Sequence, residues 1–346
     1  MKSCGKRCST INMKTYTITC LAVSLGALGV LPALAGSDGA ANSLISSSLD
    51  VQQFGRSSLK HLEASRAANQ KPGAVNVWGA ASGLYTDARS SGNANGFTTR
   101  TGGYTLGMDR VGEWMTGGLM LGQQFGHMQP QGYQRRSRIN QHSTQIGAFG
   151  STQREFDNTL FTLDGYAAYS SVNYRSHGYS HATGQNSFSR WDNNAIVVGA
   201  VASWEQKMAN EVRMRPFIGL EYSYVRMGGF SDGDYTYDSS NFGNLSGTVG
   251  LEFSRTWSVG AEGSFTPIVS VAYIGDMWRD EAEVNASKGL IDEKDYGVRY
   301  GRHAFQVSGE LLWVINSRWS SSLAYTYEWR SDLQNHQMEI SLTRSF

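Results

Sequence analysis

The chain has 346 residues, of which 12% are aromatic and 40 are glycine, whereas only five are proline. Its formal net charge is +1 at pH 7, so composition favours neither a nucleic-acid surface nor a polybasic membrane-binding patch. Many glycine and aromatic residues with few prolines are typical of a protein that is built from many twisted strands.

The first 35 residues differ from the rest of the chain. Basic residues precede an apolar run over residues 18–31, and Ala33-Leu34-Ala35 follows as a small-residue cleavage motif. This order predicts a cleavable secretory signal peptide at residues 1–35, with Met1 or Met13 as the start. The alternative is a membrane anchor, but the run is short for a span of about 20 residues. All three cysteines lie in this segment, so we expect neither a disulfide nor a thiolate metal site in the mature protein.

Residues 36–74 form a short leader that contains a candidate helix at about residues 42–69. Apolar residues recur there at helical spacing, as in Ile45, Leu49 and Leu62, and Pro72-Gly73 follows. A disordered leader is the alternative interpretation.

Residues 75–346 show strand-like alternation, and no second long apolar run that would predict α-helical membrane spans. The pattern is clearest at residues 318–331, where Trp319, Leu323 and Trp329 share one parity and small or charged residues occupy the other. Twelve strands are predicted, near residues 75–86, 104–111, 114–125, 141–150, 160–173, 194–206, 215–225, 245–253, 265–273, 305–315, 318–331 and 336–346.

The connections between these strands alternate between long and short. Long polar stretches, such as residues 174–190 and 279–302, follow odd-numbered strands, and turns as short as residues 112–113 and 316–317 follow even-numbered ones. Long extracellular loops and short periplasmic turns give this rhythm in outer-membrane barrels. A soluble sandwich is the alternative, because its strands also alternate. The sequence therefore predicts an all-β fold, a 12-stranded antiparallel transmembrane β-barrel.

The sequence also resembles the autotransporter β-domain family over about residues 43–346. Residues 215–225 are similar to its seventh strand, and Val77-Trp78-Gly79 to its first. The terminal Phe346, with Met338, Ile340 and Leu342 on the same strand, is similar to the signal through which the barrel assembly machinery recognises such proteins; Arg344 departs from the usual aromatic residue. The resemblance implies bacterial outer-membrane localisation, with periplasmic chaperones, the assembly machinery and outer-membrane lipid as partners.

In this family a helix occupies the pore ahead of the barrel. The resemblance implies that residues 42–69 thread the lumen, where the basic side chains meet carboxylates on the polar parity of the wall. The candidate helix residues are Arg56, Lys60 and Arg66, and the candidate lumen-facing residues are Glu221, Glu252, Glu310 and Glu328. Some members of the family cut their own chain within this helix, and the pair Asn42-Ser43 gives only weak support for such self-cleavage here. About forty residues separate residue 36 from the first strand, so we expect a barrel without a passenger domain.

No residue pattern predicts an enzyme, a cofactor or a metal site. His177 and His181 are four apart but in a predicted loop, and Asp232, Asp234 and Asp238 lack the rest of a calcium loop. Nothing links His142, His303 and Asp164, the remaining candidates for rim chemistry.

The sequence therefore predicts a monomeric translocator-type barrel that is plugged by its helix and binds no nucleic acid. The alternatives are a passive diffusion pore, which needs a lumen free of the helix, and a surface adhesin that acts through its long loops.

Overall fold

The computed structural model describes residues 39–67, 71–92, 94–131, 138–157, 159–180, 185–232 and 235–346. The predicted signal peptide at residues 1–35 lies outside these ranges. The described chain consists of one long helix, α1 (Ala40–Ala67), followed by strands. Among the described residues, no helix combines the length and the apolar character that a bilayer-spanning helix needs.

Twelve long strands form the ring of the main sheet, and one short strand, Trp257–Val259, pairs with the ninth of them. The twelve are β1 (Val75–Ala88), β2 (Phe97–Val111), β3 (Met115–Pro130), β4 (Arg138–Phe156), β5 (Thr159–Ser180), β6 (Gln185–Lys207), β7 (Val212–Met227), β8 (Ser240–Arg255), β9 (Gly263–Arg279), β10 (His303–Asn316), β11 (Trp319–Arg330) and β12 (Leu333–Ser345). Each pairs antiparallel with the next, and β12 returns to pair with β1 from Asn76↔Ser345 to Ala88↔Leu333. The ring is therefore closed, and the predicted 12-stranded antiparallel barrel is confirmed.

The two faces of the barrel wall differ as the alternation predicts. Large apolar side chains point outward and stay exposed, for example Leu106 at 58%, Leu121 at 60% and Ile340 at 56%. Polar side chains of the other parity, among them Thr105, Gln124 and Ser341, are buried on the inside. An apolar outer band around a polar interior is the arrangement of a transmembrane barrel, in which closure satisfies every edge hydrogen bond.

The two ends of the barrel are built differently. We call the end at which β2–β3, β4–β5, β6–β7, β8–β9 and β10–β11 are connected the turn end, and the opposite end the loop end. The loop end carries a second, four-stranded sheet made by two loops, with strands Phe230–Ser231, Thr236–Tyr237, Glu283–Lys288 and Ile291–Tyr296.

The strands differ in length around the ring. Strand β11 has 12 residues, whereas β5 and β6 have 22 and 23 and extend further at the loop end. They also exceed their predicted ranges, residues 160–173 and 194–206. The alternation is lost where both faces are polar, but backbone pairing continues, as in Arg175↔Arg190.

Helix α1 begins at the loop end and ends at the turn end. Asn42 Nδ2 donates to the Asn95 carbonyl oxygen in the β1–β2 loop at 3.0 Å, and the Val298 backbone N–H donates to Asn42 Oδ1 at 3.0 Å. At the other end, Asn76 Nδ2 at the start of β1 donates to Ser65 Oγ at 3.2 Å. Apolar and polar residues of the helix are alike buried, since Leu44 and Ser47 are both 0% exposed. The helix therefore lies within the ring of strands.

Candidate functional site: the interface between helix and barrel wall

The interface between α1 and the wall combines apolar packing, in which Leu44, Phe54 and Leu62 of the helix take part, with many polar contacts. The polar contacts arise because the inner parity of a membrane barrel is polar and the helix is rich in serine. Small hydroxyl side chains allow close approach and hydrogen-bond across the gap. Ser48 Oγ lies 2.8 Å from Ser223 Oγ, and Trp191 Nε1 donates to Ser43 Oγ at 3.0 Å. Gln141 Nε2 donates to the buried Asp50 carboxylate at 2.7 Å. These contacts fix the half of the helix nearer the loop end.

An ion pair occupies the middle of the helix. Arg56 donates twice to the Glu221 carboxylate on β7, from Nε at 2.9 Å and from Nη2 at 2.6 Å. Tyr166 on β5 also donates to Glu221, and Glu328 on β11 lies 4.0 Å from Arg56 Nη1. Glu221 is 6% exposed. The two-pronged geometry is the strong form of an arginine–carboxylate pair, and it joins helix and wall at one position.

The last turns of the helix carry further pairs. Arg66 Nη1 lies 2.8 Å from Asp164 Oδ1 on β5 and also donates to Ser151 Oγ at 3.2 Å. His61 Nε2 lies 2.5 Å from Asp109 Oδ1 on β2, and its ring stacks on Trp78 with centroids 4.5 Å apart. These contacts fix the helix at the turn end.

Two of the predicted carboxylates are held by arginines of the wall. Glu252 pairs with Arg215 on β7 at 2.6 Å, and Arg215 also pairs with Glu63 of the helix. Glu328 accepts from Arg330 Nε at 2.6 Å. Glu252 and Glu328 are both buried, and their nearest cationic partners are arginines of the wall rather than the helix residues that were expected.

Lys60 and Glu310 complete the predicted set. Glu310 is buried, and so is Lys60 Nζ, which makes no hydrogen bond within the described part of the chain. Of the three basic helix residues, Arg56 meets two predicted glutamates, Arg66 meets an aspartate instead, and Lys60 meets none within ion-pair distance among the described residues.

Sequence reasoning missed several residues of the interface. Glu63 and His61 on the helix and Asp109 and Glu339 on the wall all make contacts between the two; Ser57 Oγ donates to Glu339 Oε2 at 2.6 Å. Asp109 and Glu339 share the inner parity of their strands, so the signal that identified the four glutamates was sufficient to find them.

A second charge cluster lies near the loop end of the barrel. Asp276 Oδ2 on β9 accepts from Arg279 at 2.8 Å and from Arg330 at 2.9 Å. The Arg279 guanidinium lies 4.0 Å from the centroid of the Tyr300 ring. Burial raises the pKa of the Tyr300 phenol, and Arg279 opposes this shift. The cluster contacts wall and loop only, so it belongs to the scaffold.

The other candidates are dispersed. His142 and His303 point outward and contact Phe125 and Tyr273, whereas Asp164 faces the lumen. His177 packs against Phe188, and His181 and Asp234 lie outside the described residues. Asp232 accepts from the Tyr235 backbone N–H at 2.8 Å, and the Asp238 backbone N–H donates to Asn285 O at 2.9 Å. Within the described ranges, no three histidine, cysteine or acidic residues are grouped to hold a metal ion.

The last strand presents the predicted assembly residues to the outside. Met338, Ile340 and Leu342 are 56%, 56% and 48% exposed, and Phe346 is 66% exposed. The Arg344 guanidinium lies over two rings, 4.6 Å from the centroid of Phe346 and 5.4 Å from that of Trp319. This arrangement shows how an arginine is accommodated on the outward parity.

The sequence and the fold both match known proteins. A family model described as the autotransporter beta-domain matches residues 77–326. The chain is 24% identical over 276 residues to the probable outer membrane protein pmp21 of Chlamydia pneumoniae, a match that covers 75% of this chain and 16% of that protein. The chain thus spans about a sixth of the curated relative's length.

Solved structures show the same fold at low sequence identity. The translocator domain of autotransporter NalP from Neisseria meningitidis has a TM-score of 0.61 at 14% identity, covering 85% of this chain and 99% of that one. The β-domain of the Bordetella autotransporter BrkA has a TM-score of 0.58 at 12% identity, covering 79% and 100%. The transport unit of AIDA-I from Escherichia coli has a TM-score of 0.58 at 15% identity, covering 78% and 90%.

Proposed function

The chain belongs to the autotransporter β-domain family, and from this premise we propose that it is an outer-membrane translocator-type barrel whose lumen is blocked by its own helix α1. On this proposal the loop end faces the cell exterior and the turn end faces the periplasm. The observation that carries the proposal is the two-pronged pair between Arg56 of the helix and Glu221 of the wall.

The packing around the helix supports a blocked lumen. The cavity beside Arg56, Gln53 and Glu328 has a volume of about 30 Å³, which is room for one or two water molecules. A larger cavity of about 340 Å³ lies nearer the turn end, beside Leu62, Ser65 and Arg66, so the packing is tightest around the middle of the helix. The passive diffusion pore is less well supported, because it needs a lumen free of residues 42–69.

The energetics of the interface also favour an occupied lumen. With the helix in place, Glu221, Asp109 and Asp164 are buried, and each has a basic partner on the helix. Buried carboxylates are tolerated when they are paired and hydrogen-bonded. Three such pairs on one helix hold it at a defined height and rotation.

The test is a conductance measurement in planar lipid bilayers. The full-length protein is expected to be closed for most of the recording, and a variant that lacks residues 40–67 is expected to conduct strongly and continuously. Both proteins are first checked for a folded barrel by their resistance to unfolding in SDS without heating. A wide, constantly open channel in the full-length protein, or equal conductance in both, would contradict the proposal.

We also propose the route to the membrane. The signal peptide at residues 1–35 directs export and is removed, and the barrel assembly machinery recognises Met338, Ile340, Leu342 and Phe346 on the last strand. Periplasmic chaperones and outer-membrane lipid are the other proposed partners of a monomeric barrel. The exposure of Met338, Ile340 and Leu342 on one face of β12, and of Phe346 directly after it, supports this route.

A further inference from the structure

Basic side chains line up on the outside of the barrel near the loop end. The cross-strand register places five residues in one continuous row across β2 to β6, in the order Arg100, His127, Asn140, Arg175 and Arg190. All five have the outward parity of their strands, and the three arginines are exposed. The row therefore faces away from the lumen and is separate from the interface with the helix.

Two further exposed arginines flank this row. Arg138 lies two residues beyond Asn140 on β4, and Arg226 lies on β7 opposite Asn194 of β6. We call Arg100, Arg138, Arg175, Arg190 and Arg226 the arginine patch. None of these five makes an ion pair within 4.0 Å in the part of the chain that the structure describes.

Acidic side chains are scarce around the arginine patch. Asp192 lies one outward position from Arg190 and accepts from Asn173, and Asp87 at the end of β1 accepts from Gln131 Nε2 at 3.0 Å. Arg175 and Arg190 are direct cross-strand partners. Like charges directly opposite each other destabilise a sheet unless a counter-ion lies between them. The positive charge of the patch is therefore complementary to an anion that carries several negative groups.

The height of the patch identifies where that anion comes from. The row lies two residues beyond the exposed Phe125 on β3 and six beyond the exposed Tyr169 on β5. At about 3.3 Å per residue and a strand tilt of about 40°, it stands roughly 5–15 Å above the aromatic belt. On the proposed orientation, this is the level of the phosphates and acidic sugars of the outer-leaflet glycolipid.

The rest of the ring differs at this level. There the outward residues near the ends of β9 to β12 include several aromatic residues and histidines, among them Tyr273, His303, Trp329 and His336. Arg299 in the adjoining loop pairs with Glu281 at 2.9 Å. Arg89 and Arg302 are also exposed near the loop end and make no ion pair in the described ranges, but they lie singly, whereas the five arginines of the patch are grouped on neighbouring strands.

We propose that the arginine patch binds lipopolysaccharide of the outer leaflet through its phosphate groups, an inference that rests on the proposed outer-membrane location. Guanidinium groups suit this ligand because they donate to phosphate oxygens in pairs and keep their charge at any physiological pH. Bound glycolipid neutralises the repulsion between Arg175 and Arg190 and orders the lipid around the extended strands.

The test measures binding of fluorescent lipopolysaccharide to the full-length protein in neutral detergent. The variant R175Q/R190Q is compared with R110Q/R154Q, which removes two exposed arginines at the turn end of the same side of the barrel. We expect R175Q/R190Q to bind about 30-fold more weakly, which corresponds to about 1 kcal/mol for each charge. The control variant is expected to match the unmodified protein, and higher salt is expected to weaken binding.

Competitors establish which anion is recognised. Unlabelled lipopolysaccharide is expected to displace the probe, whereas dephosphorylated lipopolysaccharide, phosphatidylglycerol and inorganic phosphate are expected to displace it poorly. Equal competition by phosphatidylglycerol would show that the patch binds anionic lipids in general, and it would overturn the assignment to lipopolysaccharide. Unchanged affinity in R175Q/R190Q, or an equal loss in R110Q/R154Q, would remove the arginine patch as the site. Channel conductance is unaffected in either case, which separates this proposal from the plugged lumen.

Discussion

Replacing Arg56 with alanine is expected to open the lumen, because it leaves the Glu221 carboxylate buried without its cation. Removal of one partner from a fully buried pair costs about 3–5 kcal/mol. The cost here is smaller, since the Arg56 side chain is 28% exposed and Glu221 keeps the hydrogen bond from Tyr166. We take about 2 kcal/mol for the occupied state. With the helix out, water solvates Glu221 and this penalty disappears.

A difference of about 2 kcal/mol changes the ratio of open to closed time about 30-fold. Single-channel recording of R56A in planar bilayers measures this ratio directly. The matched control is R213A, because Arg213 forms a more exposed pair with Glu205 at 3.4 Å and the pair lies within the wall. Its open fraction is expected to equal that of the unmodified protein.

A double-mutant cycle tests the stated cause. In R56A/E221A the buried orphan carboxylate is gone, so the double variant is expected to open less than the sum of the two single effects predicts. Strictly additive effects, or an R56A protein that stays closed as firmly as the unmodified one, would refute the reasoning about this pair.

Three more predictions follow from the turn end and the last strand. A Cβ at Gly107 overlaps the buried Trp78 ring, so G107A is expected to lower the free energy of unfolding by about 1–3 kcal/mol in urea titration. The control G309A is expected to change it little, because a Cβ at Gly309 has no atom within 4 Å. Equal shifts in the two variants would contradict this. H61A removes the ring that stacks on Trp78 and is expected to raise the open fraction in bilayer recordings about tenfold, and an unchanged fraction would show that this contact does not hold the helix. F346A is expected to slow assembly into the outer membrane, measured as the rate at which the folded form that resists SDS without heating appears in pulse-labelled cells. A normal rate would exclude this side chain from the signal.

The strand count was predictable because the two faces of the wall meet different media, hydrocarbon outside and water or polar groups inside. Parity alone separates Leu323 from Ser322, and neither residue needs a known partner for its face to be assigned. The extensions of β5 and β6 beyond the membrane were not predictable in this way. Residues such as Asn173 and Asp192 are polar on the outward face too, so the hydrophobic signal ends while the hydrogen-bonded ladder continues.

The pairs inside the barrel were predictable by type but not by partner. Arg56 and Glu221 stand far apart in sequence, and only the register of β7 against β6 and β8 sets the height of Glu221. Arg215 on the same strand holds Glu252 before any helix residue reaches it. Which carboxylate a helix residue meets depends on strand tilt and helix rotation together, and neither leaves a local trace in the sequence.

The junction of β1 and β12 imposes an order of events on the making of the molecule. The first and the last strand share one ladder, and the backbone of Phe346 hydrogen-bonds to Val75 in both directions, at 2.9 and 3.3 Å. This ladder cannot form until the twelfth strand has been synthesised and exported, so β1 keeps an unpaired edge until then. A segment that the barrel encloses must be in position before β1 and β12 pair, or it must pass through the closed ring afterwards. A segment that is placed before β1 and β12 pair therefore needs no passage through the closed ring.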